Sequence, residues 1–164
     1  MIRLLGFLSI AALILAGTPT LAANEAKEIQ WEDLIPGIQT FIAMGLIQHG
    51  QTPLDLDPDA IAAAGTVKTF DGQRIAIAGF VVPLDFDATV VTDFLLVPYI
   101  GACIHVPPPP PNQVIYVHTT KGVRITGFFD AMTITGVLSR VEMETDLADV
   151  GYRINADTVV PYEF

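Results

Sequence analysis

The sequence predicts an α+β domain that is mainly β, built as a partly open, OB-like barrel with short N-terminal helices. A small β-sandwich is the alternative architecture. Three observations support this prediction. Helical spacing of apolar residues is confined to the region before Gly65. After that residue, runs rich in Val, Ile and Phe alternate with turn signals. The chain of 164 residues shows no internal repeat and has the length of one domain.

The first 23 residues have the composition of an export signal. Arg3 gives a positively charged start, residues 4–16 form a nearly continuous apolar run, and small residues follow Gly17. The run is shorter than the ~20 residues of a membrane-spanning helix, and no second such run follows. We therefore expect a protein secreted into the bacterial periplasm through a signal peptide, with no integral membrane span in the mature chain. An uncleaved membrane anchor is the alternative.

The expected domain organisation has three parts. Residues 1–23 are the signal peptide, residues 24–65 are a helical segment that packs on the barrel, and residues 66–164 are the β-rich OB-like domain.

Two short helical stretches are expected before residue 65. Apolar residues between positions 31 and 42 have the spacing of one helix face, and Pro36 with its neighbouring glycine divides that stretch. Further on, Asp57 can cap a helix that a proline opens and Gly65 ends.

The strands of the barrel are expected after residue 65. Asp71-Gly72 separates the apolar runs 66–70 and 73–85 and predicts a β-hairpin. Lys121-Gly122 predicts another turn. The remaining strands are predicted at residues 94–105 with an interruption at Pro98, 114–119, 124–129, 133–142 and 152–160.

Charge and motif content exclude several classes of function. The chain has 18 acidic and 8 basic residues, a net charge of −10, so nucleic acid and anionic membrane surfaces are poor partners. A single cysteine excludes an intrachain disulfide and a cysteine-only zinc site. There is no G-x-S-x-G, no Gly-rich phosphate loop and no H-E-x-x-H. A binding role is therefore favoured over an enzymatic one.

The most informative segment is residues 101–113, which reads GACIHVPPPPPNQ. Five consecutive prolines favour a stiff polyproline II rod that fixes the separation of its two flanks. Just before it, Cys103 and His105 are two residues apart, so in an extended chain their side chains face the same way. We expect this corner and the proline brace to form the working site.

Tyr116 and His118 follow the prolines on the next predicted strand. Suppose that this strand pairs antiparallel with the strand before the prolines. If the numbers of two paired residues add up to an odd number, Tyr116 and His118 lie on the same face as Cys103 and His105. An even sum puts the two groups on opposite faces, and the sequence leaves this register open.

Three interpretations of this cluster compete. Cys103, His105 and His118 with one open position would suit Zn²⁺, and Asp85, Asp87 or Asp93 could add a carboxylate. Alternatively, an imidazole beside the thiol makes a nucleophilic cysteine. In the third interpretation the cysteine is a small buried residue and the histidine satisfies backbone groups. Residues expected to support the site are Tyr116, Asn112, Gln113, Pro107 and Pro109.

The stretch from Gly79 to Val117, GFVVPLDFDATVVTDFLLVPYIGACIHVPPPPPNQVIYV, resembles the signature of an uncharacterised bacterial family, domain of unknown function 3299. The motif WEDLIP at residues 31–36 and the C-terminal GYRINADTVVPY are also similar to that family. The resemblance implies an exported protein without an established reaction, with Cys103 and His105 inside the signature. It also implies genetic association with lipoprotein-exporter-like ABC transporter components in settings suggestive of a zinc response.

Together these features predict an exported periplasmic binding or accessory protein that handles zinc alongside a membrane transporter complex. A structural protein-interaction module without metal is the first alternative. A thiol-dependent enzyme that uses Cys103 is the second.

Overall fold

The computed structural model describes residues 25–44, 57–103 and 108–163. The expected signal peptide lies outside these residues. Within the described part of the chain, no helix combines the length and apolar character needed to cross a bilayer. The strands are β1 (Lys27–Glu28), β2 (Arg74–Pro83), β3 (Val90–Val97), β4 (Ile115–Arg124), β5 (Ala131–Glu144) and β6 (Asp149–Pro161). The helices are α1 (Ile38–Ala43), α2 (Pro58–Ala64) and two 3₁₀ turns, Trp31–Leu34 and Pro111–Gln113.

Five of the strands form a closed barrel. Their order is β2-β3-β4-β6-β5, and β5 returns to pair with β2. The neighbouring barrel strands are antiparallel except for β4 and β6, which are parallel. The short β1 adds in parallel to β2. The prediction of a mainly β barrel with few short helices is confirmed, but the barrel is closed rather than partly open, because β2 pairs with both β3 and β5.

Side chains that alternate in direction along the strands give the barrel an apolar interior and a second apolar cluster outside it. On β3, Phe94 and Leu96 belong to the interior core, whereas Leu95 and Val97 belong to the second cluster. Successive side chains of a strand point to opposite faces, so the second cluster lies on the outer face of β3. All four side chains are fully buried, which means that the outer cluster is covered as well.

The N-terminal segment is fastened to the barrel by two buried hydrogen-bonding side chains. Trp31 Nε1 donates to the carbonyl oxygen of Ala78 at 2.8 Å. The hydroxyl of Tyr152, a fully buried residue of β6, accepts from the backbone N–H of Val67 at 2.6 Å and donates to the carbonyl of Leu34 at 3.2 Å. These contacts satisfy polar groups inside an apolar environment, so they fix where the segment lies without leaving an unpaired donor.

The predicted helical elements agree with the structure because their signals are local. The first stretch divides between a 3₁₀ turn and α1 at Gly37, whose φ is 79°. Asp57 caps α2, with Oδ1 accepting from Asp59 N at 3.1 Å, and Gly65 follows the last helical residue.

In the β region, Asp71-Gly72 forms a turn, closed by the hydrogen bond from Gln73 N to Phe70 O at 3.0 Å, but the predicted hairpin around it and the predicted turn at Lys121-Gly122 are wrong. Residues 66–70 do not form a strand, and Asp71 Oδ1 instead accepts from Arg140 N at 2.9 Å while Gly72 N donates to Leu138 O at 2.8 Å. The turn therefore attaches to β5, which pairs with β2 from Arg74 to Phe80. At Lys121-Gly122 the strand continues, because the glycine allows close approach: an added Cβ would lie 2.5 Å from Val90 Cγ1.

Candidate functional site

The candidate site is a hydrogen-bonded group of side chains on the outer face of β3 and β4, centred on Asp93. The register pairs Asp93 with His118, and Leu95 with Tyr116. Asp93 Oδ1 accepts from the Tyr116 hydroxyl at 2.6 Å and lies 2.8 Å from His118 Nδ1. Its Oδ2 accepts from Thr92 Oγ1 at 2.8 Å. We call these four residues the Asp93 cluster.

The electrostatics of the Asp93 cluster favour an ionised carboxylate. Burial opposes ionisation of Asp93, but hydrogen bonds from Tyr116, His118 and Thr92 together hold the pKa of its carboxyl below the usual value. The hydrogen bond to Asp93, with a further contribution from burial, raises the pKa of Tyr116. The guanidinium of Arg153 lies over the Tyr116 ring, with its central carbon 5.6 Å from the ring centroid. The cluster thus holds one fixed negative charge between a phenol and an imidazole.

This geometry orients the His118 imidazole. Because Nδ1 contacts the Asp93 carboxylate, the favoured form of the ring is one that carries a proton on Nδ1. The side chain of His118 is 38% exposed, so Nε2 is the ring nitrogen left for an external group. A carboxylate bound to one imidazole nitrogen is one of the ways in which proteins orient a metal-binding histidine.

Cys103 lies in a turn rather than in a strand. β3 ends at Val97, before Pro98, and Cys103 has a φ of 68°, which extended backbone does not allow. The expected continuation of the strand after Pro98 is therefore wrong for residues 98–103, and the premise of an extended chain fails at Cys103. Pro98 is one physical reason, since it cannot donate a ladder hydrogen bond.

The surroundings of Cys103 disfavour its thiolate. The side chain is half-buried and packs, together with Tyr99 and Tyr116, against the outer apolar cluster. Burial raises the pKa of Cys103 to about 11. The structure therefore brings Cys103 and Tyr116 to one cluster on the same outer side of the barrel, but the thiol is an inert group there in the absence of a metal.

The predicted metal ligands are only partly brought together. From Asp93 to Leu96, after a register shift, β3 pairs with β4 so that residue numbers sum to 211, the odd register, but this pairing ends at Leu96 and Ile115, before Cys103. His105 and Pro107 lie outside the described residues. Within the described part of the chain, no group of three or more His, Cys, Asp or Glu side chains could hold a metal ion, so Cys103, Asp93 and His118 do not form one.

The residues after the prolines brace the N-terminal segment. Pro109 is buried, Pro110 has the φ of −55° and ψ of 150° of a polyproline conformation, and the next residue begins a 3₁₀ turn. Asn112 Nδ2 donates to the carbonyls of Ile61 and Gly65, both at 2.7 Å, and so binds the end of α2.

Gln113 makes the corresponding contact to the first 3₁₀ turn. It is fully buried, and its Nε2 donates to the carbonyl of Trp31 at 3.2 Å and to that of Asn112 at 2.9 Å. The two amides after the prolines thus hold both N-terminal helical stretches against the barrel.

Sequence reasoning placed Tyr116 and His118 together and named Asp93 as one of three possible carboxylates, but it missed Arg153 and Thr92. Arg153 reaches Tyr116 through the parallel pairing of β4 with β6, in which the two residues are partners. No local pattern predicts such a pairing, whereas the position of Thr92 next to an aspartate offered a weak signal.

Comparisons with known proteins identify a family and solved structures with a similar fold. A family model described as "Protein of unknown function (DUF3299)" matches residues 31–161. The crystal structure of a DUF3299 family protein from Pseudomonas aeruginosa PAO1 is similar at 35% identity with a TM-score of 0.64, covering 85% of this chain and 98% of that one. A search of curated proteins gave no match.

Two further solved structures resemble the chain only weakly. OBody AM3L09 bound to hen egg-white lysozyme has 12% identity and a TM-score of 0.36, covering 70% of this chain and 95% of that one. OBody AM2EP06, also bound to hen egg-white lysozyme, has 12% identity and a TM-score of 0.33, covering 70% and 94%. Similarity at this level supports no conclusion about fold or function.

Proposed function

We propose, given that the chain belongs to the DUF3299 family of proteins of unknown function, that it is an exported accessory protein of the bacterial periplasm. In this proposal it acts by binding rather than by catalysis, and its working surface is the outer face of β3 and β4 around the Asp93 cluster. The segment of residues 1–23, with its charged start and apolar run, supports export.

We assign the barrel to the OB type within the same proposal. Five closed strands with one parallel pair, β4 and β6, support this assignment. Counted along the barrel, β3 and β4 are its second and third strands, and OB barrels bind their ligands on that face. The Asp93 cluster lies there. The net charge of −10 argues against an oligonucleotide as the ligand.

The ligand that the Asp93 cluster suits best is a divalent metal ion, with zinc as the first candidate. The observation that carries this proposal is the 2.8 Å contact of Asp93 Oδ1 with His118 Nδ1, which leaves Nε2 of a half-exposed imidazole for the ion. His105 is the proposed second ligand. Cys103, the third residue of the predicted set, would have to lose its proton, which a bound zinc ion promotes.

Titration of Zn²⁺ into the mature protein, first freed of metal by a chelator, tests this proposal by calorimetry. We expect one ion per chain, loss of binding in His118→Ala, and about 10- to 100-fold weaker binding in Asp93→Asn, because the orienting carboxylate is gone. Asp149→Asn, which changes an exposed carboxylate at the start of β6, is the matched control and should bind like the wild type. Cys103→Ser decides whether the thiol is a ligand.

No heat of binding with the wild type, or equal affinity in His118→Ala, would exclude a zinc site at this histidine. The first alternative, an interaction module without metal, would then stand. An exposed aromatic pair favours that alternative: the rings of Phe86 and Phe128, 52% and 51% exposed, have centroids 5.4 Å apart. A membrane transporter complex is the proposed large partner in both cases, and it is supported by the family resemblance alone.

A further inference from the structure

The seam between β4 and β6 is paired along only part of its length. The ladder runs from Ile115 and Tyr152 to Thr119 and Ala156. Beyond that point β4 continues to residue 124 against β3, and β6 continues to residue 161 against β5. Among the described residues, these two ends therefore have a strand partner on one side only. A strand edge of this kind presents backbone N–H and C=O groups to any further strand.

A groove of about 420 Å³ lies between the two strand ends. Its floor is apolar: Met132 is buried, and Val123 and Val159 pack partly buried against the barrel core. Its volume falls within the range of roughly 300–1,000 Å³ that is common for binding clefts. The groove thus combines strand edges that lack a neighbouring strand with a lining that is apolar at its base and polar around it. Strand edges and pockets for alternate side chains are the features by which proteins bind an extended peptide.

The rim of the groove is basic although the chain is strongly acidic. Lys121 and Arg124 both line it and are exposed, in a chain with a net charge of −10. The one acid in the lining is Asp157, and Arg74 already holds it through two hydrogen bonds of 3.0 Å. Lys121 also interacts electrostatically with Asp157, so an approaching carboxylate meets a lysine that is partly neutralised, together with the exposed Arg124.

We propose that this groove binds an extended, acidic segment of a partner protein by β-strand addition. The segment's backbone pairs with the free edges of β4 and β6, its apolar side chains face the floor, and its carboxylates face Lys121 and Arg124. The groove begins one residue after His118 on β4, but this inference does not depend on metal binding there.

Binding of synthetic peptides to the mature protein tests the inference. The probe is a blocked six-residue peptide of alternating Glu and Val, and the matched peptide carries Lys in place of Glu. We expect the Glu peptide to bind at least about tenfold more tightly, and alternate N-methylation of its amides to abolish binding, because it removes the ladder donors. Hydrogen exchange should slow at those amides of residues 122–124 and 157–160 that point into the groove, because the alternate amides face β3 or β5.

Charge-reversal variants locate the site. Arg124→Glu is expected to weaken binding of the Glu peptide about tenfold. Lys68→Glu, which reverses an exposed lysine in the turn before β2, is the matched control and should leave it unchanged. Thermal unfolding of both variants shows that each is folded. The inference is overturned if the Glu peptide does not bind at millimolar concentration, if the Lys peptide binds equally well, or if the protected amides lie elsewhere.

Discussion

A thiol-reactive probe is expected to label native Cys103 about 100-fold more slowly near neutral pH than it labels the unfolded chain. The thiolate is the reacting species, and burial raises the pKa of Cys103 from an ordinary value near 9 to about 11. A pKa that is higher by two units makes the thiolate fraction near neutral pH roughly 100-fold smaller. Because Cys103 is the one cysteine in the chain, the labelling rate reports on this residue alone.

The raised pKa also predicts how the labelling rate depends on pH. Since the pKa is raised, the native labelling rate should climb about tenfold per pH unit and level off only near pH 11, whereas the rate of the denatured chain levels off about two units earlier. Cys103→Ser is the blank. Rapid labelling of the native protein with a plateau below pH 8 would mean that the thiol is activated, and it would restore the thiol-enzyme alternative over a binding role.

Gly136→Ala is expected to destabilise the protein by about 3 kcal/mol, the largest effect that a single added methyl group should have in this barrel. Gly136 lies where the register of β5 against β6 shifts. An added Cβ would collide with the carbonyl oxygen of Asn155 and lie 2.8 Å from Cα of Ala156. Both are backbone atoms of a paired strand, so neither can turn aside as a flexible side chain would.

Chemical denaturation of the mature protein measures this loss as a shift of the unfolding midpoint. Gly127→Ala is the control, because an added Cβ at Gly127 meets nothing within 4 Å. That substitution should change stability by less than about 1 kcal/mol. Equal stability of the two variants would show that β5 and β6 do not approach each other as closely as described, and the pairing of these two strands would need revision.

The parts of the fold that the sequence predicts well depend on local chemistry. Asp57 and Gly65 bound α2 through a cap and a helix stop, signals that act within one or two residues. The division of the first stretch at Gly37 is equally local, since only a glycine adopts its positive φ without strain.

The strand pairing that forms the barrel could not be predicted in this way. Asp71-Gly72 has the composition of a hairpin turn and does form a turn, yet Asp71 Oδ1 and Gly72 N bond to residues of β5 more than 60 positions away, so no hairpin is formed. Gly122 looked like part of a turn for the same reason, although its role is to let two strands approach. In both cases a long-range contact overrides a local preference.

The candidate site, too, could be predicted from the sequence only where it depends on local geometry. Tyr116 and His118 share a face because residues two apart on a strand do so, and this needs no tertiary information. The role of Asp93 depends on the register between β3 and β4, in which Asp93 pairs with His118. That register is a property of the folded barrel and is not specified by the sequence of either strand alone. Cys103 was misplaced because a positive φ at a non-glycine residue has no sequence signal.

Nitrogen-15 NMR of the His118 imidazole, recorded before and after addition of Zn²⁺, tests most directly whether Asp93 orients this ring for a ligand. We predict a proton on Nδ1 in the metal-free protein, retained in the presence of zinc, with the metal-induced shift confined to Nε2. In Asp93→Asn the ring proton should no longer be confined to Nδ1. A neutral ring with its proton on Nε2, or an Nε2 resonance that zinc leaves unchanged, would contradict the account.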